Sequence, residues 1–294
     1  MNKLLILSGK GGTGKTTVAS AFIDFSSARA FADCDVDAPN LHLVEGGGPF
    51  ETKDFLGSPK ARIDPARCVG CGACAEHCRF DAIRRMPDGH YAVEEFACEG
   101  CGVCLAVCRS DAVSLRPDVA GEQHLRQGER VFSTARLKMG RGNSGKLVTA
   151  VKKTLSEAAP REAELAVIDG SPGIGCPVIA SISGVALVLI VAEPSLSGIS
   201  DMKRVLKTAS ILGTEAAVCV NRADICVENT EAIREYCQGN RIPFLGTVPS
   251  DPHVPQAVNE GHSIANVDCP ARDALREIYE KTLRLLPEAN KRLL

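Results

Sequence analysis

Tryptophan is absent from this 294-residue chain, tyrosine occurs three times and aromatic residues make up only 4%. A protein that stacks single-stranded bases on ring faces needs more than that. No charge of one sign dominates either: 34 Lys and Arg against 36 Asp and Glu leave a formal net charge of -2. Non-specific nucleic-acid binders carry a clear basic surplus, so nucleic acid is not an expected partner. Long apolar runs are also missing. The longest, Val185–Ala192, is far short of the roughly 20 residues a bilayer core demands. Only Leu4–Leu7 precede the polar, glycine-rich Ser8–Gly14, so neither a signal peptide nor a membrane role is expected. The six histidines show no ligand spacing. What remains, 45% apolar and 24% charged residues, is the make-up of a folded globular protein.

Cysteine, in contrast, is abundant. There are 14, and with no secretory signal they point to a reducing cytoplasm, where thiols serve as metal ligands more often than as disulfides. Eight fall in the 41 residues from Cys68 to Cys108; Cys34, Cys176, Cys219, Cys226, Cys237 and Cys269 are scattered.

Residues 68–84, CVGCGACAEHCRFDAIR, and 98–114, CEGCGVCLAVCRSDAVS, match at 9 of 17 positions with an offset of 30, an internal duplication. Each copy has the spacing C-x2-C-x2-C-x3-C. Zinc sites pair two well-separated C-x2-C knuckles, whereas four cysteines packed into 11 residues and then repeated suit iron–sulfur cubanes. The run resembles that of bacterial-type ferredoxins, in which three thiolates hold one [4Fe–4S] cube and the fourth reaches the other. The resemblance implies two clusters with crossed ligands. Cys68, Cys71, Cys74 and Cys108 would hold one, and Cys98, Cys101, Cys104 and Cys78 the other. Arg79 and Arg109 stand where such ferredoxins usually have proline, and their positive charge would raise the cluster potential.

Asn2–Leu7 reads as a buried strand, Ser8–Thr17 (SGKGGTGKTT) follows it, and Val18–Phe25 reads as a helix. That order is the P-loop arrangement. Gly9, Gly11, Gly12, Thr13, Gly14 and Thr17 would form the backbone cradle of ATP or ADP, Lys15 would reach the β- and γ-phosphates, and Thr16 would ligate Mg²⁺.

The loop carries a second lysine, Lys10, the deviant form of the motif, and here the sequence resembles the MinD/ParA/nitrogenase-iron-protein superfamily (the CobQ/CobB/MinD/ParA nucleotide-binding class). The resemblance implies that Lys10 reaches across a nucleotide-sandwich dimer to the partner's phosphates. Residues 31–40 (FADCDVDAPN) resemble the first switch, with Asp35 matching the aspartate that handles the attacking water. Residues 165–173 (LAVIDGSPG) resemble the Walker B strand and second switch, with Asp169 holding Mg²⁺ through water. In 218–224 (VCVNRAD) Asn221 matches a base contact, joined by Arg222, and Pro249 lies where the family's last loop lines the adenine pocket. The lysines Lys10 and Lys15 with Asp35 and Asp169 would carry hydrolysis.

Gly140–Lys146 (GRGNSGK) also satisfies G-x4-G-K, but Leu147 stands where Mg²⁺ needs a hydroxyl, and residues 125–139 show no clean buried strand. This segment reads as a loop opening a helix over 146–158. Cys34 and Cys176 flank the two switches and read as small buried apolar residues.

Nucleotide motifs on both sides of the cysteine segment imply an insertion. The expected architecture is α/β: a mostly parallel, doubly wound P-loop sheet over 1–58 plus 119–294, with a 2[4Fe–4S] ferredoxin domain over 59–118. It resembles the MinD-superfamily ATPases with an inserted ferredoxin domain. That resemblance implies an ATPase whose nucleotide state controls electron transfer to, or docking with, a metalloprotein. The partner subunit would be a second copy or a paralogous ATPase, and the docked protein a redox or metal-cofactor-binding one. Cofactor assembly is the alternative, although the bridging C-x2-C of scaffold relatives is absent. A MinD-like positioning role would use an apolar helical stripe over 271–286, interrupted at Thr282; such a stripe more often faces a core.

Overall fold

The computed structural model describes residues 1–287. The chain begins with β1 (Asn2–Leu7), α1 (Lys15–Phe25), β2 (Ala30–Asp33), β3 (Glu51–Leu56) and β4 (Lys60–Ile63). The cysteine-rich stretch contributes α2 (Ala73–Glu76), β5 (Ile83–Arg85), β6 (Tyr91–Val93), α3 (Val103–Val107) and β7 (Val113–Arg116). Then come β8 (Val119–Arg126), β9 (Val131–Leu137), α4 (Ser144–Ala158), β10 (Leu165–Asp169) and α5 (Cys176–Ile182). The chain continues through β11 (Leu187–Ala192), α6 (Leu196–Ile211), β12 (Ala216–Asn221), α7 (Val227–Gly239), β13 (Phe244–Val248), α8 (His253–Asn259) and α9 (Pro270–Leu285).

Two compact units result. One comprises residues 1–52, 123–136 and 144–287, the other 53–122 and 137–143. The expected limits of the insert, 59–118, fall inside the second unit, which also takes in the loop after β9.

In the first unit, β13, β12, β11, β1, β10, β2 and β9 lie side by side in that order, every pairing parallel. The order continues through β8 to β3, and the chain passes between the units within β3, β8 and β9. Strands covered on both faces read as continuous apolar runs, and β10 and β11 are buried at every position. Parallel strands send all their carboxyl ends to one edge. The register sets Ile6 beside Asp169 and Asp169 beside Asp33, so the loop after β1 opens next to two strand-terminal carboxylates.

Two expectations need correction. Residues 125–139 do contain a buried strand: β9 is buried from Val131 to Ala135. Ser133 and Thr134 disguised it, and the Ser133 hydroxyl is accommodated by donating to the Val151 carbonyl at 3.0 Å. Thr282 does not interrupt the last stripe either. It is buried, with its hydroxyl donating to the Ile278 carbonyl at 2.7 Å. Leu275, Ile278, Tyr279 and Leu283 of α9 are in the core, the Tyr279 ring 5.2 Å from Phe22. Each such side chain contributes roughly 1.5–3 kcal/mol by leaving water. The stripe is packing surface, and among the described residues no helix is long and apolar enough to cross a membrane.

The second unit has two antiparallel pairs, β4 with β7 and β5 with β6. Its small core packs Ala61, Ile63, Ala82, Ile83, Ala112 and Val113 against the cysteines. A core this thin depends on further cross-links for its stability.

Candidate functional site

The P-loop turns from the end of β1 into α1. Gly14 sits at φ 89°, a left-handed backbone, and a Cβ there would collide with the Asn221 amide, so only glycine fits. The Asn221 amide itself donates to the Thr13 carbonyl at 2.8 Å and buttresses the loop. An open cleft lies over it, lined by Gly11, Gly12, Gly14, Lys15, Thr16 and Thr17 and by Asp35. Backbone glycines, a lysine and a hydroxyl on one wall are the lining a phosphate group needs. The Thr13 hydroxyl is buried without a partner, as expected of a donor meant for a ligand oxygen.

Lys15, 6% exposed, donates to Asp169 Oδ1 at 2.5 Å. Thr16 donates to Asp169 Oδ2 at 2.6 Å and lies 3.0 Å from Asn40 Oδ1. Burial opposes the charge on Lys15, but Asp169, Asp33 and Asp35 outweigh it and hold its pKa above the ordinary value. A lysine so placed stays charged for phosphate.

Asp33, the last residue of β2, organises the first switch. Its carboxylate accepts the backbone N–H of Asp35 at 2.9 Å, Asn40 at 2.9 Å and Leu41 at 3.0 Å. Burial, with the charge of Asp169, raises its pKa to about 7. Its position as the last residue of a buried strand was the available signal. Asp35 lines the cleft, and burial followed by Asp169 raises its pKa as well, which suits a proton acceptor.

At the far end the cleft is lined by Arg222, Val258, His262, Ser263 and Ile264. Asn221 and Pro249 are not among its lining residues. The Asn221 amide is committed to the P-loop, whereas Arg222 lines the cleft. No motif marks 258–264, and folding alone brings that turn to the cleft.

Lys10 does not point into open solvent. It pairs with Glu193 of its own chain at 2.5 Å and lies 3.4 Å from each of the Ser195 and Ser197 hydroxyls. Ser195 also caps α6 by accepting the Gly198 N–H at 3.1 Å, so the residues around Lys10 are fixed by a helix start.

The duplicated cysteines gather into two small apolar pockets. Cys78, Cys98, Cys101 and Cys104 line one; Cys68, Cys71, Cys74 and Cys108 line the other. Donors already aim at sulfur: Ala61 N–H at Cys98 Sγ, 3.5 Å, and Ala112 N–H at Cys108 Sγ, 3.3 Å. A Cβ on Gly100 (φ 70°) would strike the Pro59 carbonyl, which explains the glycine between Cys98 and Cys101. Among the described residues, no three His, Cys, Asp or Glu side chains converge as ligands of a single ion would. Four thiolates around a cubane have no such common point, since each binds a different iron. The donor set fits a [4Fe–4S] group in each pocket.

Cys34 is buried as expected, its thiol pushed far up by desolvation. Cys176 is exposed, contrary to expectation, because it opens α5 rather than facing the core.

The model of the "CobQ/CobB/MinD/ParA nucleotide binding domain" matches residues 4–264. The uncharacterized protein MJ0578 of Methanocaldococcus jannaschii is 32% identical over 290 residues, 95% of each chain. Similarity to the cytosolic Fe-S cluster assembly factor NUBP2 of Homo sapiens is partial, 27% over 154 residues, 47% of this chain and 57% of that protein. The septum site-determining protein MinD of Pyrococcus horikoshii OT3, complexed with Mg-ADP, superposes with a TM-score of 0.58. It is 18% identical, with 99% of each chain covered, a likeness of fold.

Proposed function

Since this chain belongs to the CobQ/CobB/MinD/ParA nucleotide-binding family, whose MinD/ParA members are P-loop ATPases, we propose that it hydrolyses ATP to control two iron–sulfur clusters. The controlled event is electron transfer to, or docking with, a partner metalloprotein. The observation that carries the reading is a single chain with both parts: Lys15 and Thr16 meeting Asp169 beside a cleft lined by the P-loop, and two four-cysteine pockets.

Each residue then has a defined task. The P-loop N–H groups and Lys15 take the β- and γ-phosphates, and Lys15 leaves Asp169 to do so. Thr16 and Asp169 would hold Mg²⁺, which neutralises charge on the phosphates when bound. Asp35 orients the attacking water and accepts its proton, held in place by the Asp33 hydrogen bonds to the switch backbone. Lys10 exchanges Glu193 for the phosphates of a partner subunit, a second copy or a paralogue, and stabilises charge at the transferred phosphoryl. The two cysteine sets would hold cubanes, which supply one-electron chemistry.

The test is anaerobic purification, metal analysis and potentiometry. About eight iron and eight sulfide per chain are expected, as two cubanes require. Midpoint potentials or partner affinity should differ between ADP and a non-hydrolysable ATP analogue. Two zinc and no sulfide would remove the ferredoxin part.

A second reading, iron–sulfur cluster assembly, draws support from the similarity to NUBP2. It requires transfer of a cluster to an apo-acceptor; a chain that exchanges electrons but never loses iron favours the first.

A further inference from the structure

The segment Gly140–Lys146, which mimics a phosphate loop, has a different set of contacts. Arg141 is paired with Glu95 and, at 3.2 Å, with Asp118, its side chain only 14% exposed. Its guanidinium also lies 5.2 Å from the centre of the Phe96 ring. Glu95 and Phe96 belong to the turn that delivers Cys98, whose N–H donates to the Glu94 carbonyl at 3.0 Å. Arg141 therefore grips the entrance to the second cysteine motif.

The other end of the same segment runs directly into α4. There Gly145 packs on Cys176, so closely that a Cβ would stand 3.2 Å from the Cys176 carbonyl oxygen. Seven residues further on, Lys152 Nζ donates to the carbonyls of Ala180 at 2.9 Å and of Ser181 and Ser183 at 2.6 Å each. α5 is thus held by α4 at both ends. α5 also follows the second switch, 170–175, without a break. Displacing it means moving α4 or abandoning three charge-assisted hydrogen bonds, and moving α4 is the cheaper course.

We propose that residues 137–145 are a strap that carries the state of the second switch to the second cysteine motif, with Arg141 as its positioning residue. This rests on the reading that nucleotide state governs the clusters, and adds which one it addresses. The addressed set is Cys78, Cys98, Cys101 and Cys104. The turn before Cys68 has a separate hold, an exposed Arg67–Asp111 pair at 3.9 Å.

Amide hydrogen exchange on the cluster-loaded protein tests this, with ADP compared to a non-hydrolysable ATP analogue. In the wild type, exchange at 94–99 should change on the order of tenfold, the effect of one charge-assisted contact, and at 64–68 less than about twofold. Arg141→Gln should reduce the response at 94–99 below about twofold while the response at 170–176 persists. Glu95→Gln cuts the same contact from the other side and must act alike. A response that survives both substitutions, or equal responses at both turns, overturns the strap. Potentials that shift with nucleotide while 94–99 stay silent also overturn it, and leave the functional reading standing. The converse, exchange without any shift in potential or partner affinity, keeps the strap and removes the electron-control reading. Silence in both overturns both.

Discussion

Lys15 and Thr16, adjacent at the start of α1, bind the two oxygens of one carboxylate: Lys15 Nζ is 2.5 Å from Asp169 Oδ1, and Thr16 Oγ1 is 2.6 Å from Oδ2. Asp169 therefore holds both residues in position for phosphate and metal. Lys15→Ala should lower ATP affinity by about 100-fold, the loss of a buried charge-assisted contact. Asp169→Asn should bind nucleotide but lose Mg²⁺-stimulated turnover by roughly 10²–10³-fold. Calorimetry and phosphate release separate the two. Unchanged affinity in Lys15→Ala would refute the P-loop assignment.

Asp35→Asn should leave binding intact and reduce turnover by about 10²–10⁴-fold, the range of general-base contributions. Burial and Asp169 raise the Asp35 pKa, so turnover should climb as pH rises through that elevated value. The limb should vanish in Asp35→Asn, and a pH–rate profile reads it.

The contact of Lys10 with Glu193 holds the lysine in its own chain. Glu193→Gln should therefore strengthen ATP-dependent self-association, or pairing with a paralogue, and Lys10→Ala should weaken it while sparing nucleotide binding. Sedimentation with ADP and with the ATP analogue measures both. Equal association in all three proteins would dismiss a role for the pair.

Cys78 lines a pocket with the second motif and Cys108 with the first. Cys78→Ala should then cost about four iron per chain and disturb the cluster of Cys98, Cys101 and Cys104. Cys108→Ala should disturb the other. Paramagnetic resonance of the reduced proteins distinguishes them; damage confined to each residue's own motif would disprove the crossing.

Glu45 has a buried carboxyl 2.8 Å from Arg130, with its Oε1 unpartnered, and burial raises its pKa to about 7. A raised acid stabilises the fold fully below its unfolded value near 4.5 and loses that contribution as pH rises through about 7. Wild-type stability should accordingly fall between about pH 4.5 and 7 relative to Glu45→Gln, by on the order of 3 kcal/mol. Urea unfolding at several pH values gives the difference, and parallel pH curves would count against it.

Chemistry confined to a few neighbouring residues was legible in the chain itself. Three thiols of each set lie within seven residues, and the P-loop needs only glycines, a lysine and a hydroxyl in sequence. Spacing encodes such sites because the backbone between their groups is too short to place them otherwise. Continuous apolar runs likewise marked β1, β10 and β11, since a strand buried on both faces admits little else. Contacts between residues far apart in sequence were not legible. Nothing in 258–264 marks it as a wall of a cleft whose floor is formed by residues 8–20. The parallel register set Asp33 beside Asp169, and the packing of α9 covered a stripe that could have faced elsewhere. Asn221 and Arg141 show the same division. Their side chains could serve a base or a phosphate, but the folded chain sets one against the Thr13 carbonyl and the other against Glu95. A polar side chain takes the partner that folding leaves within reach, and that partner is fixed by residues more than 40 positions away.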